Sequence, residues 1–436
     1  MSNKISGGRA MRRKVVSFIL LIMTIFWTGC SAIGNSSSDL EMELTSEIKL
    51  HDNSLIPNEF LQEGVYKPLN YSTQQAMWFA YMDYEKILLN RTEEEFTKLV
   101  VERFVKAKLL GINTVYVQVR AFCDAYYKSE LFPRGEYFSV SSNFDPLEIM
   151  INSAHSLNLS IHAWVNPMRA KTDMEMQAMS GDYLPKQWYD DEIKRGTYIV
   201  QVADRWYLNP AYSEVKSFIT DGIKEIVSSY EVDGLHIDDY FYPTTDASFD
   251  TISFAEGNTN DLTAWRMENI NVMVKGIYST IKSLNTNVLF GISPQGNVEK
   301  NYSTQYADVR KWCKEGGYCD YIVPQIYFGF KNETCPFEQT VFEWQQLTSG
   351  SKIRLVIGVC TYKIGKEDTW AGTGKDEWIT DLNVTSREVE YVINDEKLSG
   401  VAIFSYNSTF EPSGDEVLVN AIADECEKIK QILVKE

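Results

Sequence analysis

Two adjacent carboxylates, Asp238 and Asp239, follow a short apolar run that begins at Gly234. An inward-facing carboxylate at the end of a strand is costly to bury unless it has partners or a chemical task. Two such groups could supply a proton donor and a charged or basic group, as general acid–base catalysis requires. We therefore predict that Asp238 and Asp239 are catalytic. The chain turns after Asp238, so the direction of the Asp239 side chain stays open.

Short β-rich runs alternate with amphipathic helical segments around these residues. Such alternation predicts a parallel sheet, and eight repeats predict an α/β fold with a (β/α)8 TIM barrel. No linker or low-complexity block interrupts residues 71–436, so we expect a single catalytic domain there. The predicted strands are Ala76–Met82, Thr114–Arg120, Ser160–Asn166, Gly234–Asp238, Val288–Ser293, Tyr321–Tyr327, Arg354–Cys360 and Gly400–Tyr406.

Alternate residues of a barrel strand face the helices and the barrel interior. In the fourth strand Leu235 and Ile237 are predicted to face out, and His236 and Asp238 to face in. The active site of such a barrel forms at the carboxyl ends of its strands. We predict that the following residues near these ends bind substrate: Arg120, Asp124, Trp164, Asn166, His236, Gln295 and Tyr327.

Three of these residues also have a purely structural alternative. Arg120 could be a salt-bridged rim residue paired with Asp124, because buried arginines are often structural. His236 could be a hydrogen-bonded core histidine. Asn166 precedes a proline and could cap a turn. The sequence leaves these alternatives open.

The N-terminus is built like an export signal. Four basic residues between positions 9 and 14 precede the apolar run Val15–Trp27, which is too short for a permanent membrane span. Gly29 and Cys30 then resemble a bacterial lipobox, in which the cysteine is acylated. We expect residues 1–29 to be removed as a lipoprotein signal peptide, Cys30 to anchor the protein at the extracytoplasmic face of a membrane, and residues 30–70 to form a flexible tether. The alternative is an ordinary signal peptide cut near Gly29.

Charge and histidine spacing narrow the classes of partner. The formal charge of the chain is -18, and loss of the five basic residues in positions 1–29 would make it -23. Such a chain is repelled by phosphate backbones, so nucleic acid is not an expected partner. The four histidines form no HExxH or HxxxH pattern, and neither a metal nor a cofactor is predicted. Six cysteines besides Cys30 leave disulfide pairing open.

The run Asp233–Pro243, DGLHIDDYFYP, resembles the glycosyl hydrolase-like lipoproteins that include divisome-associated peptidoglycan glycosidases. Weaker resemblances to the same family lie at Gln118–Ser129, His162–Pro167, Tyr207–Pro210, Gly291–Asn297 and Asp320–Tyr327. The resemblance implies a barrel that acts on bacterial cell-wall glycan, notably strands stripped of stem peptides. Residues 121–123 depart from the proline and glycine usual after the motif's arginine. The rim near Asp124 is therefore predicted to bind a different sugar or none.

Glycoside cleavage usually needs an acid and a second carboxylate. No glutamate ends a predicted strand, and the available carboxylates are Asp83, Asp124, Asp238 and Asp239. Adjacent aspartates suggest instead that the substrate's own acetamido oxygen attacks the anomeric carbon, a known exception to the two-carboxylate scheme. Asp238 would then orient the acetamido group and Asp239 would protonate the leaving oxygen. In this scheme Tyr327 supports the oxazolinium-like charge, while Arg120, Asn166 and Gln295 hold hydroxyls.

Two other functions stay open. One is a two-aspartate hydrolase of another exopolysaccharide or an α-glucan, with Asp238 as nucleophile and Asp124 as its distant partner. The other is a non-catalytic surface lipoprotein that binds glycan, which the missing glutamate keeps possible.

Overall fold

The computed structural model describes residues 66–139 and 141–434. The predicted signal peptide, the acylation site Cys30 and residues 30–65 of the predicted tether lie outside this part of the chain. In chain order the strands are β1 Gln74–Phe79, β2 Thr114–Arg120, β3 Ser160–Val165, β4 Arg169–Thr172, β5 Ile199–Val202, β6 Arg205–Leu208, β7 Gly234–Ile237, β8 Leu289–Ile292, β9 Tyr321–Ile322, β10 Arg354–Leu355, β11 Ile357–Cys360 and β12 Gly400–Phe404.

The predicted TIM barrel is confirmed by the strand pairing. Parallel ladders run in the order β10, β9, β8, β7, β3, β2, β1, β12, β11. β10 and β11 are two parts of one strand, separated only by Val356, whose amide N–H donates to the carbonyl of Ile322. This interrupted strand pairs with β9 on one side and with β12 on the other, so eight strands close the barrel.

Helices surround the barrel between its strands. Their bounds are α1 Tyr84–Ile87, α2 Glu93–Leu109, α3 Pro146–Ser156, α4 Asp173–Ala178, α5 Leu184–Asp190, α6 Ser213–Ser229, α7 Thr251–Glu256, α8 Leu262–Leu284, α9 Val298–Gln305, α10 Val309–Lys314, α11 Phe337–Thr348, α12 Glu377–Thr380, α13 Val384–Ile393, α14 Tyr406–Phe410 and α15 Glu416–Leu433. Three short 3-10 turns lie at Tyr81–Asp83, Ala247–Phe249 and Gly372–Gly374. Within the described ranges, none of the helices is both long and apolar enough to cross a bilayer.

Local signals explain where two of these helices begin. The Thr92 hydroxyl accepts from the Glu95 amide while the Glu95 carboxylate accepts from the Thr92 amide, which forms a capping box at the start of α2. Asp145 caps α3 by accepting from two backbone amides, and Pro146 occupies its first turn. Both helices pack on the barrel beside β2 and β3, whose ends carry site residues.

Two apolar layers lie on either side of the barrel wall. Leu235 and Ile237 of β7 belong to the large core between strands and helices, as the strand parity predicts. The interior holds a separate aromatic cluster that includes Trp78, Tyr116 and Tyr321. This inner cluster fills the barrel, so the chemistry is restricted to its mouth.

Asp233 ties the chain across the lower face of the barrel. Its buried carboxylate accepts hydrogen bonds from the Tyr66 hydroxyl at 2.6 Å, the Leu69 amide at 2.5 Å and the Ile161 amide at 2.7 Å, and it contacts His155 at 2.9 Å. Residues 66–70, predicted to be tether, therefore belong to the base of the barrel. Their hydrogen bonds to the barrel replace the hydrogen bonds to water that these residues would make in a free tether.

A three-stranded antiparallel sheet, β4-β6-β5, is inserted between β3 and β7. The sequence does not predict it, because four-residue strands give too short an alternating pattern. The insertion starts directly after the β3 loop and so lies at the mouth of the barrel. It brings Arg169 to the site described next and Lys171 to Asp124 at the rim.

Candidate active site

A pocket of about 110 Å³ opens at the carboxyl ends of the barrel strands. Both predicted catalytic residues, Asp238 and Asp239, line it. Asp238 is buried, whereas Asp239 is half-buried. The other lining residues are Trp78, Ala80, Tyr81, Met82, Gln118, Trp164, Arg169, Tyr240, Gln325, Tyr327 and Phe404. Most of these are aromatic, and the carboxylates are the only acidic side chains among them.

Three N–H groups hold the Asp238 carboxylate. The Trp164 indole N–H donates to Oδ2 at 3.0 Å, and the Asn166 side-chain amide donates to Oδ1 at 2.6 Å. The backbone amide of Tyr240 donates to Oδ1 at 3.3 Å. Because all three partners are donors, they stabilise the ionised form of Asp238.

Asn166 is itself held by a chain of amides. Gln118 Nε2 donates to Asn166 Oδ1 at 2.6 Å, and Gln118 Oε1 accepts from the backbone amide of Tyr81 at 3.0 Å. This chain links the ends of β1, β2, β3 and β7. It fixes the orientation of the Asn166 amide, so the NH2 group and not the oxygen faces Asp238.

Asp239 has a different environment. Its Oδ1 accepts one hydrogen bond from Gln325 Nε2 at 3.1 Å, and Gln325 also donates to the carbonyl of Ser293 at 3.0 Å. The turn after β7 places Asp239 in the same pocket as Asp238. The Asp239 side chain, whose direction strand parity leaves open, therefore points toward the pocket.

The two carboxylates influence each other electrostatically. Burial and the charge of Asp239 raise the pKa of Asp238 to about 7. Burial also raises the pKa of Asp239. Two interacting buried carboxylates do not both ionise readily near neutral pH, so the pair tends to carry one proton. One acid and one charged carboxylate can thus coexist in the pocket.

Tyr327 and Trp164 line the pocket, where the sequence places them. Burial raises the pKa of Tyr327 well above its usual value, and Asp238 and Asp239 contribute to the same direction. The phenol therefore stays protonated and available as a donor. Asn166 is not among the lining residues, and its contact is with Asp238.

Arg120 does not face the barrel interior as predicted. β2 pairs Gln118 with Trp164 but Arg120 with Val165, so the ladder shifts register between the two. This irregularity turns Arg120 to the outer side, where its guanidinium lies 4.4 Å from the centroid of Phe132 and against Gly222 of α6. The alternative pairing of Arg120 with Asp124 is absent among the described ion pairs.

Asp124 is also outside the pocket lining. Its Oδ1 accepts from the backbone amides of Ala121 and Phe122 at 3.2 and 3.0 Å, and its Oδ2 lies 3.4 Å from Lys171 Nζ. These contacts tie the loop after β2 to the inserted sheet. Asp124 thus shapes the rim and is not placed to face Asp238 across a bound sugar.

His236 and Gln295 lie beside the pocket but do not line it. His236 is fully buried, stacks on Tyr116 at 4.2 Å and accepts a hydrogen bond from the Trp78 indole at 3.2 Å. Burial lowers the pKa of His236 to about 3, so it is neutral and holds Trp78 in place. Gln295 pairs through its backbone with Gln325, which is the glutamine that reaches the pocket.

Arg169, Trp78 and Tyr240 are lining residues absent from the predicted set. The Arg169 guanidinium lies 3.9 Å from the ring centroid of Tyr240 and 4.4 Å from that of Phe122. Trp78 follows strand parity on β1 and could have been predicted from it. Arg169 gives no such signal, because its strand belongs to the inserted sheet.

The model of the family glycosyl hydrolase-like 10 matches residues 74–372. The chain is 29% identical over 350 residues to glycosyl hydrolase YngK of Bacillus subtilis, covering 73% of this chain and 66% of that protein. It is 28% identical over 346 residues to glycosyl hydrolase DigH of Escherichia coli K12, covering 73% and 77%. The chain thus spans slightly less than two thirds of the Bacillus relative.

Among solved structures, the glycoside hydrolase domain of PgaB (BpsB) from Bordetella bronchiseptica aligns with a TM-score of 0.53 at 10% identity. The alignment covers 84% of this chain and 99% of that domain, which supports the barrel fold alone. The family match spans every barrel strand except β12 and includes Asp238 and Asp239. The chain therefore belongs to the glycosyl hydrolase-like 10 family.

Proposed function

We propose that the protein is a glycosidase that cleaves bacterial cell-wall glycan, specifically strands without stem peptides, with participation of the substrate's N-acetyl group. One observation carries the proposal: Asp238 and Asp239 are the two acidic residues of an otherwise largely aromatic pocket. Sugars stack their apolar faces on aromatic rings, and glycoside cleavage needs carboxylates beside the glycosidic bond. Family membership and the printed names of both relatives support glycoside hydrolysis.

We infer the roles of the two aspartates from their unequal surroundings. Asp238 accepts from three N–H donors, which favour its charged form, while burial and the charge of Asp239 raise its pKa to about 7 in the free protein. It orients the acetamido group by accepting its N–H. Asp239 is less buried, and although burial raises its pKa, hydrogen bonds from Gln325 and Gln305 lower that pKa. We assign it the role of acid because a substrate N–H donated to Asp238 favours the charged form of Asp238, so that the shared proton passes to Asp239.

The reaction then proceeds in two balanced steps. The acetamido oxygen forms a bond to the anomeric carbon, the glycosidic C–O bond breaks, and the Asp239 proton goes to the leaving oxygen. Water next attacks the anomeric carbon, returns its proton to Asp239 and releases the acetamido oxygen. The Tyr327 phenol, in the pocket wall, stabilises the charge of the oxazolinium-like intermediate.

The positions of two predicted ligands change this scheme. Asn166 holds Asp238 and does not grip a hydroxyl. Arg120 lies on the outer side of the strand. The polar groups available for sugar hydroxyls are instead Gln118, Gln325 and Arg169.

The two-aspartate alternative is less well supported by the geometry. Asp124 is engaged with Lys171 and with two backbone amides, and it does not line the pocket. Without Asp124, the only carboxylates in the pocket are Asp238 and Asp239. When the substrate supplies the nucleophile, these two carboxylates are sufficient and no third one is needed.

We also propose that the protein acts outside the cytoplasm, anchored through an acylated Cys30. The basic residues, apolar run and Gly29-Cys30 pair of the N-terminus support this. Labelling of growing cells with a radioactive fatty acid tests it: wild type is expected to incorporate the label, and Cys30→Ala is not. Equal labelling of the two would contradict the anchor.

Release of reducing ends from three purified glycans tests the proposed activity. Peptide-free N-acetylated wall glycan is the expected substrate, the same glycan after chemical N-deacetylation should react at least about a hundredfold more slowly, and an α-glucan should not react. Equal rates on acetylated and deacetylated glycan would contradict N-acetyl participation. Tight binding without any release would select the non-catalytic alternative.

A further inference from the structure

A second aromatic surface lies on the loop that follows β11, at the same end of the barrel as the pocket. It consists of Tyr362 and Trp370, which we call the outer platform. The Trp370 side chain is 87% exposed and Tyr362 is 37% exposed. None of the proposed catalytic steps uses either residue.

Tyr362 joins the outer platform to the pocket wall, and Trp370 lies farther along the same loop. The Tyr362 ring meets the rings of Tyr327 and Phe404 edge-on, with centroids 6.0 and 6.1 Å apart. Tyr327 and Phe404 both line the pocket. An aromatic surface thus leads from the pocket outward to the loop.

The loop that carries Trp370 is firmly held. Lys363 Nζ donates to the carbonyl of Tyr327 and to Asp368 Oδ2, each at 2.7 Å. The Asp368 carboxylate in turn accepts from the Trp370 amide at 3.3 Å. Ala371 is buried, and its carbonyl accepts from the Glu333 amide at 3.0 Å.

These contacts fix the backbone on both sides of Trp370 while its indole stays in water. Exposing so large an apolar ring gives the fold nothing, but a ring held in advance loses little entropy when a ligand stacks on it. Aromatic rings also bind the flat apolar face of a pyranose, whatever the glycosidic linkage of that sugar. The platform therefore suits a sugar chain that continues out of the pocket.

We propose that Tyr362 and Trp370 form an outer sugar-binding site for a glycan chain whose reacting residue occupies the pocket. This inference rests on the proposed function and extends it: the protein acts on polymers and draws affinity from sugars beyond the bond that it cleaves. Short glycosides reach only the pocket, whereas long oligosaccharides also cover the platform. Chain length, and not the sugar at the cleavage point, then governs affinity.

Steady-state kinetics of Trp370→Ala on a long N-acetylated oligosaccharide and on a short chromogenic glycoside test the platform. We expect KM for the long substrate to rise about tenfold, with kcat for both substrates and KM for the short one unchanged. Phe342→Ala is the matched control, because this aromatic is 58% exposed on α11 at the outer wall. The control should alter neither substrate's KM.

Equal KM changes for long and short substrates, or no change for either, would overturn the outer site while leaving the proposed activity intact. Failure of the wild type to cleave any glycan would contradict the activity alone. The platform would then be judged from quenching of intrinsic tryptophan fluorescence by the long oligosaccharide. A Kd that is about tenfold weaker in Trp370→Ala supports it, and an unchanged Kd overturns it.

Discussion

At the residue scale, the donors around each carboxylate explain how adjacent aspartates acquire different roles. Asp238 is surrounded by N–H groups from Trp164, Asn166 and Tyr240. Asp239 accepts from Gln325, and Gln305 also lowers its pKa. Hydrogen bonds to the charged form of each aspartate oppose the burial and mutual repulsion that raise both pKa values. The result is a pair that can hold one proton and one charge.

Asn166→Ala should shift the pH dependence of the reaction. The Asn166 hydrogen bond lowers the pKa of Asp238, so its loss raises that pKa. If Asp238 must be ionised, the acidic limb of the kcat profile moves to higher pH and kcat falls by about tenfold at neutral pH. A lower kcat with an unmoved acidic limb would contradict this positioning role.

Asp239→Asn should stabilise the protein above neutral pH. The pKa values of Asp238 and Asp239 are raised in the folded state, so ionising them costs stability as pH rises from the unfolded value near 3.8 through about 7. The variant removes one charge while its amide oxygen can still accept from Gln325. We expect the free energy of unfolding to rise by roughly 1–3 kcal/mol at pH 8 and to be unchanged near pH 3.

Urea titrations at both pH values measure this difference. Wild type and variant are expected to coincide at low pH, where both carboxyls are protonated. A stabilisation that is the same at pH 3 and pH 8 would show that charge is not its cause.

At the scale of elements, the two ends of β7 divide stability from chemistry. Asp233 precedes the strand and binds the base of the barrel, while Asp238 follows it and lines the pocket. Both belong to the DGLHIDDYFYP run, which therefore combines a structural residue with the two that we propose to be catalytic. Sequence similarity alone does not distinguish the structural residue from the pocket residues. Their positions at opposite ends of the barrel strand do.

Asp233→Asn should lower stability without affecting turnover. The NH2 group that replaces one carboxylate oxygen cannot accept, so either the buried amide of Ile161 or the Tyr66 and Leu69 donors lose their acceptor. Leaving such donors unpaired costs about 1–3 kcal/mol each. We expect Tm to fall by several degrees while kcat at 25 °C stays within about twofold of wild type. A large loss of kcat in a fully folded variant would contradict the division.

Strand parity predicted β7 and β3 well but failed at the end of β2. Regular alternation places Gln118 inside, and the structure agrees. The register shift before Arg120 then moves this residue to the outer layer, and a single extra residue in a strand leaves no mark on an apolar pattern. The inserted sheet that contributes Arg169 was missed for a related reason, since its strands are only four residues long.

At the scale of the whole molecule, the fold could be predicted because its signals repeat. Eight alternating strand and helix segments all indicate one barrel, and an error in any single strand does not change that answer. The site depends instead on a few side chains, and each of Arg120, Asp124 and Gln295 fell outside the pocket for a local reason. Asp238 was predictable because a buried carboxylate at a strand end is costly in any barrel.

The central claim is that Asp238 and Asp239 together cleave a glycosidic bond. The initial rate of reducing-end release from peptide-free wall glycan, compared among wild type, Asp238→Asn and Asp239→Asn, tests it most directly. We predict that both variants lose about 10²–10⁴-fold in rate while remaining folded by circular dichroism. Asp124→Asn, checked for folding in the same way, should stay within about tenfold of wild type. Turnover of Asp238→Asn equal to that of wild type would contradict the account.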